Sequence, residues 1–241
     1  MYDYNRGCCD NICYSGVADI FRLSKFSLSF FRTQIAEGSM LPSGKMPYEV
    51  FIPAYRDEIL SDTVMVYGNV DEVELVLNGK TIRRQTADKG PDSDYIPVPN
   101  GGNGKNLHFP PFTFYGVPKE RGVLKAVGYH QGKKVAEYTV KTPGVPERLD
   151  ITYFESGKPA TKNDLLIVYV RMLDKQGVLC PVNGIPVELS VQGGEIVGPT
   201  SYPLEAGVAS FLVRTGEISK ININATGKGF STRKSLKVGK E

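Results

Sequence analysis

The spacing of apolar residues changes along this chain. Between residues 17 and 34 apolar side chains recur at helical spacing, with positions 20, 23, 27, 30, 31 and 34 roughly on one stripe. From residue 48 onward apolar and polar residues alternate, which is the period of a strand with one buried face. The pattern therefore predicts a helix over residues 17–34, followed by an all-β region.

Short alternating stretches with turn residues between them fill the rest of the chain. The pairs Asn78-Gly79 and Gln131-Gly132 predict tight hairpin turns, because such residues tolerate positive φ. The predicted strands are 48–54, 63–67, 72–77, 80–86, 112–115, 122–129, 135–142, 148–154, 165–173, 185–191, 207–214, 220–226 and 231–238. Short strands of this kind are typical of β-sandwiches, since each strand offers one face to a shared core.

Stretches rich in Gly and Pro set the predicted boundaries. Residues 38–47 are predicted to be a linker, and Pro143-Gly-Val-Pro146 a second linker that two prolines stiffen. We therefore expect three parts: an N-terminal segment (residues 1–36), a first immunoglobulin-like sandwich (37–145) and a second one (146–241). Residues 87–111 predict a long loop, and loops beyond about 12–15 residues are usually functional or disordered.

Composition and charge exclude several classes of function. The 241 residues carry a formal net charge of +3, and Lys and Arg are spread among Asp and Glu, whereas nucleic-acid binders concentrate a basic patch. No apolar run approaches the length of a membrane-spanning helix. We expect no nucleic-acid partner and no membrane insertion.

The four cysteines do not predict a metal site. Cys8, Cys9 and Cys13 lie together without the paired C-x-x-C spacing that zinc sites use, and Cys180 stands alone. Ordinary thiols are the favoured interpretation, and a disulfide or a metal site are the alternatives. We expect no cofactor.

Four ordered segments resemble a known family. They are residues 14–32, Val66-Tyr-Gly-Asn-Val-Asp-Glu-Val-Glu-Leu-Val-Leu-Asn-Gly-Lys80, Pro110-Pro-Phe-Thr-Phe114 and Gly122-Val-Leu-Lys-Ala-Val-Gly-Tyr-His-Gln-Gly-Lys133. Together they resemble glycoside hydrolase family 2, the β-galactosidase group, although Gly68 stands where the family pattern has Ser. Residues 147–241 resemble the bacterial immunoglobulin-like module that often follows.

The resemblance implies that the chain is the C-terminal region of such an enzyme, and that the N-terminal segment is the remnant of its (β/α)8 catalytic barrel. Family 2 enzymes are retaining glycosidases, whose two catalytic carboxyl groups lie about 5 Å apart. Residues 1–34 hold only Asp3, Asp10 and Asp19 as acids. We therefore carry over no catalytic residue and expect the chain alone to be inactive.

The resemblance also implies partners and a location. The partners are the missing catalytic barrel and, in the full-length enzyme only, a glycan. The parent enzyme is expected to be periplasmic or secreted in a bacterium. Residues 3–6 would fall at the end of the last barrel strand, where they either line the sugar site or close the barrel.

Three residues of the long loop are the predicted substrate-binding residues. Tyr95, His108 and Phe109 are rings that could meet a sugar. In the parent enzyme the loop would then help to frame the substrate cleft. The alternative is that Tyr95 and Phe109 only pin the loop to its own domain.

The acidic residues of the first sandwich and its loop do not predict a catalytic or metal site. Asp71, Glu72 and Glu74 are predicted to form a solvated face rather than a catalytic pair, because no histidine or second acid cluster accompanies them. Three aspartates in the loop, Asp88, Asp92 and Asp94, offer oxygen ligands for calcium, but their spacing is not that of an EF-hand.

Two other function classes stay open at this point. One is an independent carbohydrate-binding or adhesion module, and the other is a structural spacer. The N-terminal segment argues against an independent module, which has no need of a barrel helix. Its aromatic stripe over residues 20–31 would lack its barrel partner, so residues 17–34 are expected to dock on the first sandwich or on another copy of the chain, and the second case is self-association.

Overall fold

The computed structural model describes residues 2–5, 12–54, 61–88, 107–154 and 159–239. The chain folds into two compact units, Met1–Thr142 and Pro143–Glu241. Among the described residues, no helix is long and apolar enough to cross a membrane.

The secondary structure is almost entirely β. The first unit contains β1 (Tyr4–Asn5), β2 (Ile12–Cys13), α1 (Phe26–Thr33), β3 (Met40–Leu41), β4 (Gly44–Lys45), β5 (Val50–Phe51), β6 (Val64–Gly68), β7 (Glu72–Leu77), β8 (Lys80–Thr86), β9 (Phe112–Phe114), β10 (Val123–His130) and β11 (Lys133–Lys141). The second unit contains β12 (Arg148–Tyr153), β13 (Leu165–Leu173), β14 (Pro186–Gln192), β15 (Gly194–Ile196), β16 (Ser201–Pro203), β17 (Val208–Thr215), β18 (Lys220–Gly227) and β19 (Phe230–Lys237).

Two antiparallel sheets form the sandwich of the first unit. Their strand orders are β11-β10-β7-β8 and β5-β6-β9. Strand alternation turns one side of each sheet inward, as in β7, where Val73, Leu75 and Leu77 are buried between half-buried neighbours. The buried cluster consists of Val50, Ile52, Val64, Val66, Val70, Val73, Leu75, Leu77, Phe112, Phe114, Val117, Leu124 and Ala126.

Both predicted hairpin turns of the first unit are confirmed. The φ angles are 51° and 81° at Asn78 and Gly79, and 49° and 75° at Gln131 and Gly132. Positive φ at both central residues gives the backbone twist that matches the flanking strands.

The second unit is a more regular sandwich of two four-stranded sheets. The orders are β12-β13-β17-β15 and β16-β14-β18-β19, and all strand pairs are antiparallel. Its buried cluster draws on both sheets, with Phe211 and Ile221 among its largest fully buried side chains. The all-β sandwich prediction is confirmed, although the sequence pattern did not reveal the short strands β15 and β16.

The predicted helix is correct only over its second half. Residues 17–25 instead form a tight turn, in which the Asp19 carboxylate accepts the Leu23 N–H at 2.8 Å and Lys25 N–H donates to the Val17 carbonyl at 3.0 Å. Arg22 has a φ of 69°, which an α-helix excludes. The helical stripe therefore does not include positions 20 and 23, and α1 covers Phe26–Thr33.

Two further predictions near this helix are wrong in detail. Residues 38–47 are not a plain linker, because β3 and β4 pair there and Met46 is almost fully buried. The predicted strand 48–54 is reduced to β5, which pairs with the end of β6.

Candidate functional site

The structure places two of the three predicted substrate-binding residues at one end of the long loop. His108 is exposed, and its ring meets the Phe109 ring edge-on with centroids 4.5 Å apart. Phe109 is half-buried. Tyr95 lies outside the described residues.

Side-chain hydrogen bonds fix the base of this loop. The Asp88 N–H donates to the Pro111 carbonyl at 2.8 Å, and the Asp88 carboxylate accepts the Thr113 hydroxyl at 2.5 Å. Gln85 Nε2 donates to the Thr113 carbonyl at 3.0 Å. The residues at the two ends of the loop therefore meet beside β9, where Asp88 joins them.

A reciprocal pair of hydrogen bonds joins the loop to the N-terminal segment. Gln34 Nε2 donates to the Phe109 carbonyl at 2.9 Å, and the Phe109 N–H donates to Gln34 Oε1 at 3.1 Å. The side chain thus satisfies both backbone groups of one loop residue. Gln34 lies 75 residues away in sequence, and for this reason the sequence alone did not identify it.

Aromatic contacts dock the helix on the outer side of the smaller sheet. Phe26 meets Phe51 with centroids 5.6 Å apart, and Phe30 meets Tyr67 at 4.9 Å, both edge to face. Such pairs contribute about 0.5–1.5 kcal/mol each beyond the area they bury. The segment expected to dock on the first sandwich does so here.

An ion pair and a buried amide complete this contact. The Arg32 guanidinium binds both carboxylate oxygens of Glu49, with Nε 3.1 Å from Oε2. Glu49 raises the pKa of Arg32 above its usual value. Asn69, which is 2% exposed, accepts the Glu49 N–H at 2.6 Å and donates to the carbonyls of Ile35 and Pro47, each at 3.0 Å.

The acidic residues of β7 are engaged in a network on the outer face of the larger sheet. Glu74 accepts the Thr81 hydroxyl at 2.6 Å and the Tyr129 hydroxyl at 2.7 Å, while Arg84 binds Glu72 at 2.5 Å and stacks on the Tyr129 ring at 3.8 Å. The bonds from Thr81 and Tyr129 lower the pKa of Glu74. A general acid needs the opposite shift, so this geometry does not suit acid catalysis.

Asp71 is also held by neighbours. Its carboxylate accepts the Gln131 N–H at 2.8 Å and lies 3.1 Å from His130 Nδ1. The bond from the Gln131 N–H is the main cause that lowers the pKa of Asp71 below its usual value, and the neighbouring His130 adds to it. This residue therefore fixes the hairpin turn between β10 and β11.

Asp3 makes contacts within the N-terminal segment that hold the segment together. Its side chain is buried, accepts the Gly16 N–H at 2.8 Å and pairs with Lys25 Nζ at 2.7 Å. The hydrogen bond from Lys25 is the main cause that lowers the pKa of Asp3. The pair ties the beginning of the segment to the turn before α1.

The cysteines and acids of the described ranges do not cluster. Within those ranges no group of three His, Cys, Asp or Glu residues has the geometry of a metal site. Cys180 is a buried free thiol, and burial raises the pKa of Cys180, with the Asp174 charge adding to the shift. Cys8, Cys9, Asp92 and Asp94 lie outside the described residues.

Comparison with known proteins relates this arrangement to an enzyme family. Residues 61–136 match a family model described as a domain of unknown function, DUF4982. A β-galactosidase of Thermoanaerobacter pseudethanolicus is 32% identical over 230 residues, which make up 89% of this chain and 29% of that protein. A β-galactosidase sequence of Rhizobium radiobacter is 30% identical over 129 residues, or 53% of this chain and 92% of that sequence.

The chain belongs to glycoside hydrolase family 2. Two solved structures share its fold: a family 2 β-glucuronidase (TM-score 0.74, 21% identity, 95% of this chain and 23% of that one) and a β-glycosidase from Bacteroides vulgatus (TM-score 0.75, 16% identity, 99% and 30%). The chain spans less than a third of the length of the Thermoanaerobacter relative. It therefore corresponds to an accessory β-sandwich region of a family 2 enzyme.

The structure explains several residues of the segments that resemble family 2. Asn69 supplies the buried amide described above, and Asn78 accepts the Val123 N–H at 2.8 Å at the hairpin turn. Phe112 and Phe114 fill the core of the first unit. Gly68 allows β5 to approach, because a Cβ there would lie 2.9 Å from the Glu49 carbonyl oxygen.

Proposed function

We propose that this chain is the non-catalytic C-terminal part of a retaining, β-galactosidase-like family 2 enzyme, and that its first unit frames the substrate cleft. The observation that carries the proposal is the reciprocal bonding between Gln34 and Phe109. This pair couples the N-terminal segment, which we assign to the end of the catalytic barrel, to the long loop. Coupling of these two parts supports a place for the loop beside the barrel.

The surface of the N-terminal segment supports the assignment to a barrel. Tyr14, Ile20 and Phe31 are 68%, 44% and 55% exposed. The rings that dock α1 on the smaller sheet are those of Phe26 and Phe30, and Phe31 meets Phe30 edge-on at 5.4 Å. We assign the rest of the catalytic barrel as the partner that covers these side chains in the parent enzyme. In the isolated chain, a second copy is the alternative partner.

His108 and Tyr95 are the proposed glycan contacts of the loop. Exposure of His108 beside a backbone that Gln34 holds supports this role, since a positioned ring can contact a sugar with little loss of conformational freedom. Phe109 is half-buried and supports the loop as well as presenting a ring. The substrate class is β-linked galactosides or related glycans.

The test is made in the full-length enzyme. Tyr95→Ala and His108→Ala should raise KM for an oligosaccharide more than KM for a small aryl galactoside, because only the longer substrate reaches the loop. Lys119→Ala, an exposed position of the same unit outside the loop, is the control and should change neither KM. Equal kinetics of the loop variants on both substrates would remove the loop from the site.

The 241-residue chain provides a second measurement. Purified free of host enzymes, it should not hydrolyse a nitrophenyl β-galactoside above background, because residues 1–34 contain no glutamate. Hydrolysis by this chain would contradict its assignment as a non-catalytic region.

A further inference from the structure

A pocket lies in the first unit between the helix and the sandwich. Its volume is about 340 Å³, which is near the lower end of the roughly 300–1,000 Å³ typical of small-molecule sites. Three separate parts of the chain build it: Ser29 and Arg32 from α1, the stretch Tyr48–Phe51 around β5, and Ala136, Glu137 and Tyr138 from β11. The size suits one six-membered ring rather than an extended chain.

Two tyrosine rings line the pocket, and each is held by another ring. Tyr48 stacks on His130 with centroids 5.0 Å apart and an angle of 28° between the planes. Tyr138 meets Phe51 edge-on at 5.2 Å. Rings that are already fixed lose little conformational entropy when a ligand packs against them.

The charges that line the pocket are paired within the protein. Glu49 binds Arg32 through both oxygens, and Glu137 lies 2.6 Å from Lys134 Nζ and 3.6 Å from Lys125 Nζ. Each charged side chain that lines the pocket therefore already has a partner of opposite sign. The paired groups still have hydrogen-bonding capacity, because a guanidinium has five N–H donors and only two are used in the contact with Glu49.

A buried support fixes the charged wall. Asn69 holds the backbone of Glu49 and, through the Ile35 and Pro47 carbonyls, the chain on both sides of the β3–β4 hairpin. Thr33, at the end of α1, is fully buried and donates its hydroxyl to the Phe30 carbonyl at 2.8 Å. The backbone that carries Glu49 is therefore held by hydrogen bonds that need no ligand.

We propose that this pocket binds one neutral, polyhydroxylated ring such as a hexose or its methyl glycoside. The apolar face of the ring would pack against Tyr48 or Tyr138, and its hydroxyl groups would exchange hydrogen bonds with Arg32, Glu49 and Ser29. The site is distinct from the loop at residues 87–111, so it holds whether or not that loop frames the cleft.

The test uses the 241-residue chain and backbone amide shifts measured by NMR. Methyl β-galactopyranoside and methyl β-glucopyranoside are titrated separately up to about 100 mM, a range that captures millimolar dissociation constants. We expect saturable shifts centred on Ser29, Tyr48 and Tyr138 with at least one of the two glycosides. Absence of saturable shifts with both would overturn the proposal.

A pair of variants on one helix separates the pocket from its surroundings. Ser29→Phe fills the pocket and should weaken binding at least tenfold. Ser27→Phe adds the same ring to α1 outside the pocket lining and should leave the dissociation constant within about twofold, and circular dichroism confirms that both variants are folded. Equal binding by both variants would place the ligand elsewhere.

Glucuronate at the same concentrations tests the charge argument. It is a ring of similar size that carries one negative charge. We expect weaker binding than for the neutral glycosides. Tighter binding of glucuronate would show that the Arg32 charge is available to ligands, and the proposal of a neutral ligand would be wrong.

Discussion

The two units are both antiparallel sandwiches, but each buries its main polar side chain in a different way. In the first unit the neutral amide of Asn69 connects three backbone segments, at Ile35, Pro47 and Glu49. In the second unit the carboxylate of Asp174 accepts N–H groups from Gly144, at 2.7 Å, and Val178, at 2.8 Å. Asn69 and Asp174 are each 2% exposed.

The difference reflects how each unit is assembled. Asn69 joins the segment that contains α1 to the sandwich. Asp174 instead binds the turn that follows it, at Val178, and the first residues of the second unit, at Gly144. The first unit therefore depends on contacts between parts that are distant in sequence, and the pocket and the loop base both arise at these contacts. The second unit is held together mainly by one buried cluster that both of its sheets share.

The largest expected effect comes from the two cores. Phe112→Ala in the first unit and Phe211→Ala in the second remove rings that are fully buried. Each should lower the free energy of unfolding of its own unit by about 3–5 kcal/mol, through lost burial and the cavity left behind. Hydrogen exchange followed on peptides from each unit measures this. Equal destabilisation of both units by either variant would contradict this expectation.

A smaller effect is expected from Asn69→Ala. The variant leaves the Ile35 and Pro47 carbonyls and the Glu49 N–H without this partner, and we expect the first unit to lose about 1–3 kcal/mol. Faster exchange should concentrate around α1 and β5. Asn224→Ala, at a half-buried position on the outer face of β18, is the matched control and should have little effect.

Protonation of Asp174 at low pH should lower the stability of the second unit. Burial alone would raise the pKa of Asp174, but the N–H groups of Gly144 and Val178 lower it overall. A carboxylate whose folded pKa is lowered contributes stability that is fully present above its unfolded pKa of about 3.9, and the contribution is lost as the pH falls through the folded pKa. The second unit should therefore weaken below about pH 4.

The variant Asp174→Asn isolates this contribution. It is less stable than the parent chain at neutral pH, because the charged acceptor is gone, but its stability should fall less steeply between neutral and acidic pH. Denaturant unfolding at a series of pH values gives both quantities. An identical pH dependence in the two proteins would show that other carboxyl groups carry the effect.

The sequence predicted the regular parts of the fold well. Alternation located β7 and β13 closely because each has one face in a core, and the Asn78-Gly79 pair determines its own turn. The predicted helix start was wrong because the apolar periodicity continues through residues 17–25. In the structure the Asp19 carboxylate accepts the Leu23 N–H and Arg22 has a positive φ, which together form a turn there.

The candidate site was less accessible to sequence reasoning. His108 and Phe109 were identified as rings in a long loop, but Gln34 acts through a contact that no local pattern encodes. The pocket likewise needs Ser29, Tyr48 and Tyr138 to meet from three segments. Pairings of this kind depend on the tertiary arrangement and become visible only in the folded chain.

The smallest expected effect compares exposed apolar residues in the two units. Ile20 and Phe31 of the N-terminal segment are 44% and 55% exposed, and Ile218 of the second unit is 50% exposed. Single exposed apolar residues are normal on protein surfaces, whereas contiguous patches mark interaction sites. If the segment belongs to a barrel surface, only its residues should promote association of the isolated chain.

Sedimentation velocity over a range of concentrations measures that association. We expect weak, concentration-dependent self-association of the parent chain, and Ile20→Ser combined with Phe31→Ser should reduce it. Ile218→Ser, which removes a similarly exposed side chain from the second unit, should leave it unchanged. The double variant keeps Phe26 and Phe30, the rings that dock α1 on the smaller sheet, although Phe30 loses its edge-on contact with Phe31. We expect it to keep its fold, which circular dichroism checks. If the unmodified 241-residue chain stays monomeric at every concentration, these exposed side chains do not promote self-association.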